Sequence, residues 1–115
     1  MTPAALEKAA LALAGAELGI KWGEDRVYSV GGKMFAATDG AATNLSMKVT
    51  DIAFEALTET GRAKPALYAA RFKWVMFDDL SALEPDEVKD WLKTAHGLVA
   101  EKLPKKQRAA LGLAG

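Results

Sequence analysis

Leu45, Met47 and Val49 alternate with Asn44, Ser46 and Lys48. A period of two over this stretch predicts a strand from Asn44 to Val49 with one buried side and one side in water. Three further short strands are expected before it. Ala16 to Trp22 is the first, ended by Gly23, and Glu24-Asp25 turns the chain into Arg26 to Val30. Gly31-Gly32 is a hairpin signal. It leads into Lys33 to Thr38, after which Asp39-Gly40 is a second tight-turn pair. Such a run reads as an antiparallel meander, covered on one face and open on the other.

Elsewhere the period lengthens to that of a helix. Thr2 followed by Pro3 supplies a capping hydroxyl and a ring with fixed φ at a helix start. Leu6, Ala9, Ala10 and Leu13 then recur at helical spacing, and Gly15 is the expected stop. Thr50 or Asp51 caps a second helix with Ile52, Ala53, Ala56 and Leu57 as its apolar stripe and Gly61 at its end. Lys64-Pro65 is assigned to a loop, Tyr68 to the opening of a short strand, and Phe72 to Phe77 to a strong strand closed by Asp78-Asp79. Glu84-Pro85-Asp86-Glu87 starts a third helix, with proline in the first turn and carboxylates at the positive end of the dipole. Val88, Trp91, Leu92, Ala95, Leu98 and Val99 keep its period to about Lys102; Pro104 interrupts, and Lys105 to Leu111 forms a last short helix. The order α-ββββ-α-ββ-α-α, with helices segregated to one side of an antiparallel sheet, is an α+β fold. No repeat or composition shift divides residues 1–115, so a single domain is expected.

Composition then removes several functions. The 115 residues are 50% hydrophobic and 26% charged, which fits a globular core rather than disorder. Fifteen basic residues balance fifteen acidic ones, leaving no global field toward nucleic acid or an anionic membrane. Without cysteine there is no disulfide framework, thiol nucleophile or cysteine metal site. The early Ala- and Leu-rich stretch is broken by Glu7, Lys8 and Glu17, unlike a signal peptide or a spanning helix. A cytoplasmic protein of bacterial style, without membrane attachment, is the expectation.

Catalytic parts are sparse. His96 is the sole histidine and cannot build a multi-histidine metal site. The carboxylates of Asp78-Asp79 and of Asp86, Glu87 and Asp90 read as solvated element ends, since neighbouring helix residues diverge. Gly31-Gly32-Lys33 lacks the glycine spacing and following helix of a phosphate loop. Ser29, Ser46 and Ser81 lack nucleophile-elbow glycines. The expectation is no enzyme, no catalytic residues, no metal and no cofactor. Basic residues are more suggestive. Lys102, Lys105, Lys106 and Arg108 fall close together without an acid, and lysines adjoin tryptophans at Lys21-Trp22 and Lys73-Trp74. Basic groups interleaved with aromatics can meet phosphates and stack on bases. Tryptophans in strands are more often core, and a basic tail is more often a solvated helix end.

Taken together, Lys21-Trp22-Gly23, the run Tyr28 to Ala36, Leu45-Ser46-Met47-Lys48, Lys64-Pro65-Ala66-Leu67-Tyr68, Lys73-Trp74-Val75 and the closing Leu98 to Lys106 resemble the MmcQ/YjbR family over nearly the whole chain. The resemblance implies a small CyaY-like, or "double-wing", α+β domain that binds DNA. Trp22, Lys33, Phe35, Lys48, Tyr68, Lys73, Trp74, Lys105 and Lys106 hold the family-pattern positions. Phe35 and Tyr68 are assigned to packing. Lys33, Lys48, Lys73, Lys105 and Lys106 are assigned to phosphate contacts, and Trp22 and Trp74 to bases or sugars. Ala95-His96 stands where the family usually carries a Ser-Tyr pair before its Leu-Val step. DNA is therefore the partner expected from the resemblance. A protein docked on the sheet's polar face or an edge strand is the alternative. Oligomeric state is left open.

Overall fold

A computed structural model describes residues 1–67 and 69–113. The meander comprises β1 (Ala16–Lys21), β2 (Asp25–Val30), β3 (Lys33–Thr38) and β4 (Leu45–Lys48). With β5 (Lys64–Pro65) and β6 (Trp74–Phe77) they form one antiparallel sheet of order β1-β2-β3-β4-β6-β5. Among the described residues, four α-helices accompany it: α1 (Pro3–Leu11), α2 (Asp51–Glu59), α3 (Pro85–Ala100) and α4 (Lys105–Ala110). Leu6 and Ala10 of α1, Leu57 of α2, and Val88, Leu92 and Ala95 of α3 share one core with inward residues of the sheet. The helix-covered face and the open face expected of the meander are both present. No helix among the described residues is long and apolar enough to cross a membrane.

The local signals work as their chemistry requires. The Thr2 and Thr50 hydroxyls accept from the amides of Ala5 and Ala53, capping α1 and α2. Gly31 and Gly32 have φ of +59° and +81°, the two left-handed residues of a tight hairpin in register Val30↔Lys33. Gly31 is also a close approach. A Cβ there would lie 2.7 Å from a Leu103 methyl and 2.9 Å from Gln107 Nε2, while one on Gly32 would meet nothing. Gly31→Ala is therefore expected to lower stability by ~2–3 kcal/mol, combining left-handed strain with overpacking, and Gly32→Ala by ~1–2 kcal/mol. Urea midpoints of the two variants check the order; equal losses would mean that the Leu103 contact yields freely.

Several expectations are corrected. α1 ends at Leu11 with Ala12 as its cap, and Gly15, at φ +69°, swings the chain into β1 instead of stopping the helix. Asp39-Gly40 makes no two-residue turn. The Asp39 carboxylate accepts from the Thr43 amide, and the Asn44 side chain accepts from the Asp39 amide, across a longer connection to β4. In α2 the bulkier Phe54 turns inward with Ala53 and Leu57, which rotates Ile52 out to 83% exposure and leaves Ala56 exposed. Lys64-Pro65 is the edge strand β5 rather than a loop; proline is tolerated at an edge because no partner needs its missing N–H. The strand expected to open at Tyr68, and the packing role assigned to that side chain, lie outside the described residues. Phe72 belongs to a 3-10 turn (Ala70–Phe72) and Lys73 has φ +62°, so the strong strand starts only at Trp74.

One irregularity sets the core. Tyr28 faces Ala36 while Ser29 faces Met34, so Phe35 is an extra residue with no cross-strand partner. A bulge of this kind lets two successive side chains share a face. Phe35 and Ala36 are accordingly both fully buried. Burial also pushes the Tyr28 phenol above its ordinary range.

Candidate functional site

The outward residues of β4 and β6 follow from register. Ser46 pairs with Met76 and Lys48 with Trp74, while Leu45, Met47, Val75 and Phe77 point into the core. Ala37 lies opposite Ser46 on the same outward side. This open face floors a groove of ≈ 1210 Å³. Trp22, from the β1–β2 connection, and Leu67 and Phe72, from the segment before β6, contribute to its walls. Leu98 and Lys102, near the end of α3, complete them. The lining is chiefly apolar, with Met34, Met76 and the aromatic rings. Its charges are Lys33, Lys48 and Lys102 against Asp25 and Asp39.

Trp22, assigned to the site from the resemblance, has a backbone that the sequence did not predict. Its indole is 69% exposed, and its backbone has φ +50°, a left-handed conformation that is an outlier for a bulky residue. Holding it costs ~1–2 kcal/mol that no burial of the ring offsets. Neither Trp22 nor Trp74 belongs to the core cluster, so the commoner reading of strand tryptophans as core does not hold here. Phe72 and Leu67 are 54% and 81% exposed beside them.

The lysines assigned from sequence divide. Lys33 and Lys48 line the groove with Trp22 and Trp74. The Lys48 ammonium is engaged, donating to the Phe72 carbonyl at 2.7 Å and fixing the turn that displays the Phe72 ring. Lys73 leaves the group. Its left-handed backbone carries the ammonium over the Phe54 ring, 4.9 Å from the centroid, against a residue packed on the core. Lys105 and Lys106 are exposed on α4 and do not line the groove. The fold thus does not gather all five ammonium groups at this groove. Lys102, noted only as part of the basic tail, is the one that reaches it. Among the described residues, Lys33 and Lys102 take part in no ion pair.

Several of the remaining candidate groups have structural partners. Asp79 caps a 3-10 turn by accepting from the amide and hydroxyl of Ser81. Asp78 pairs with Lys64 at 2.9 Å. Glu87 accepts both arms of Arg62, whose guanidinium lies 5.5 Å from the Trp91 centroid, and Trp91 stacks on Phe77 at 4.8 Å. Hydrogen bonding to Arg62 holds the Glu87 carboxyl below its usual range. That contribution is complete above the ordinary glutamate value and is lost as pH falls through the folded one; at this exposure it is under ~1 kcal/mol. Glu7 and Arg26 tie α1 to β2. His96 is buried and hydrogen-bonded to the Ala14 carbonyl at 2.7 Å. No group of three or more His, Cys, Asp or Glu among the described residues is placed to hold a metal ion.

Comparison with known proteins places this architecture. No curated protein matches the chain. A crystal structure of Deinococcus radiodurans protein DR2400, whose domain is described as DUF419, superposes with a TM-score of 0.82. The match covers 95% of this chain and 86% of that one at 24% sequence identity, a likeness of fold. The model of the YjbR family matches residues 11–98, from the end of α1 through the meander to the last turns of α3. Through that match the chain belongs to the YjbR family, as its ordered run of short motifs had implied.

Proposed function

We propose that this chain is a small cytoplasmic DNA-binding module that uses the open face of its sheet. The supporting observation is Trp22: an indole held outward in a disfavoured backbone conformation at the wall of a groove that also contains Phe72 and Trp74. Rings on a concave surface offer stacking platforms for unpaired bases, and every base has a face to stack. Lys33 and Lys102, which take part in no ion pair among the described residues, meet the backbone phosphates. Asp25 and Asp39 in the same groove limit the electrostatic share. Binding is therefore weak, salt-sensitive and tighter for single strands than for duplex.

Fluorescence anisotropy with mixed-sequence oligonucleotides at low and moderate salt tests this. Trp22→Ala is expected to weaken single-strand binding by ~1–3 kcal/mol. Lys33→Ala should reduce the slope of log K against log salt by ~0.7, and Lys105→Ala should leave it unchanged. Absence of binding to either form at low salt overturns the reading. A protein partner is the second reading, favoured by the 81% exposure of Leu67 and by Met34, Met76 and Leu98 in the lining. A bound partner that survives nuclease and high salt would support it.

A further inference from the structure

We propose that two copies of this chain pair through β1, edge to edge and antiparallel, with Gly19 on the two-fold axis. The sheet has two edges that differ sharply. β5 is two residues long and contains Pro65, a blunted edge. β1 is six residues long, contains no proline, and stays in unbroken register with β2 from Ala16↔Val30 to Lys21↔Asp25. From Glu17 to Lys21, no backbone bond to another element occupies its outer side.

The side chains of this edge are complementary to themselves. Antiparallel pairing about Gly19 sets Glu17 opposite the second copy's Lys21, and Leu18 opposite its Ile20. Each opposite pair occurs twice by symmetry. In the isolated chain neither Glu17 nor Lys21 takes part in an ion pair among the described residues, and Ile20 is 58% exposed. A shift of the register by two residues keeps apolar residues opposite one another but moves Glu17 off Lys21, so charge selects the alignment. Gly19 adds no side chain at the axis. With the axis normal to the sheet, both helix layers lie on one side and both open faces on the other.

The absence of cysteine in the sequence makes the register directly testable. A Cβ on Gly19 would meet no atom within 4 Å, and its φ lies outside the left-handed region, so Gly19→Cys is accommodated. On the axis the two Cα atoms come within ~4.5–5.5 Å, inside disulfide range. Mild oxidation of Gly19→Cys is expected to give a linked dimer. Glu17→Cys alone should not, because its two thiols lie far apart along the strands, whereas Glu17→Cys mixed with Lys21→Cys should link as the heterodimer. Sedimentation of the unmodified chain should show dimer through the micromolar range. Glu17→Lys should weaken it by about 10-fold or more, and Glu17→Lys with Lys21→Glu should restore it. A monomer throughout, no linkage of Gly19→Cys, or equal linkage of Glu17→Cys alone would overturn the proposal. Circular dichroism of each variant shows that it is folded.

Discussion

Replacing Phe35 with Ala is expected to cost about 3–5 kcal/mol, a large share of the stability of a domain this size. Phe35 is the bulge residue of β3, fully buried, with its ring edge-on to His96 at 5.5 Å between centroids. Its neighbour Ala36 enters the same core from the next position. Nothing can therefore slide along the strand to fill the space, and removal of the ring leaves a cavity bounded by the sheet and α3. Met34→Ala, one residue earlier and on the open face, is expected to cost less than ~1 kcal/mol. Urea unfolding of both variants, with unchanged m-values, measures the difference. A loss below ~1 kcal/mol for Phe35→Ala would mean that the bulge relaxes on truncation and that β3 re-pairs in plain alternation.

That contrast marks where the sequence is legible. β4 can be read from its letters because a strict period of two has only one structural meaning once one face is buried. Gly31-Gly32 is equally plain, since two successive left-handed residues are almost restricted to glycine. The bulge carries no such marker. Met-Phe-Ala-Ala offers no polar residue to fix which side chains turn inward, so the phase of the second half of β3 is settled only by its partners Tyr28 and Met47. The backbones of Lys73 and Trp22 escape sequence reading for a related reason. Both have left-handed backbones without being glycine, imposed by the turns they close. In Lys73 that conformation sends an ammonium toward α2 rather than toward the groove.

The groove itself is a product of tertiary structure. It draws on Trp22, Leu67, Phe72 and Leu98, which no local pattern links. Period-two reading of β6 does place Met76 beside Trp74, so part of the floor was available from sequence. The walls were not. In the basic tail Lys102 reaches the groove while Lys105 and Lys106, only a few positions on, do not line it. Pro104 starts a new helix axis between them.

His96→Leu is the second large effect, an expected loss of about 1–3 kcal/mol. The ring joins α3 to the turn before β1, and a carbonyl can only accept, so Nε2 carries the proton and donates it to Ala14. Leucine would keep much of the volume against Phe35 but lose the part-buried hydrogen bond to that carbonyl, at ~0.5–1.5 kcal/mol, with the lost ring contact added. His96→Gln can place an amide N–H near the same point and is expected to recover ~1 kcal/mol relative to leucine. Urea midpoints order the series as wild type, glutamine, leucine. Leucine matching wild type would show that the hydrogen bond has no net value and that shape alone fixes this junction. The same geometry bears on chemistry. With Nε2 donating to the Ala14 carbonyl, one nitrogen of the ring fastens the helix layer to the sheet, and any acid–base work would fall to the lone pair on Nδ1.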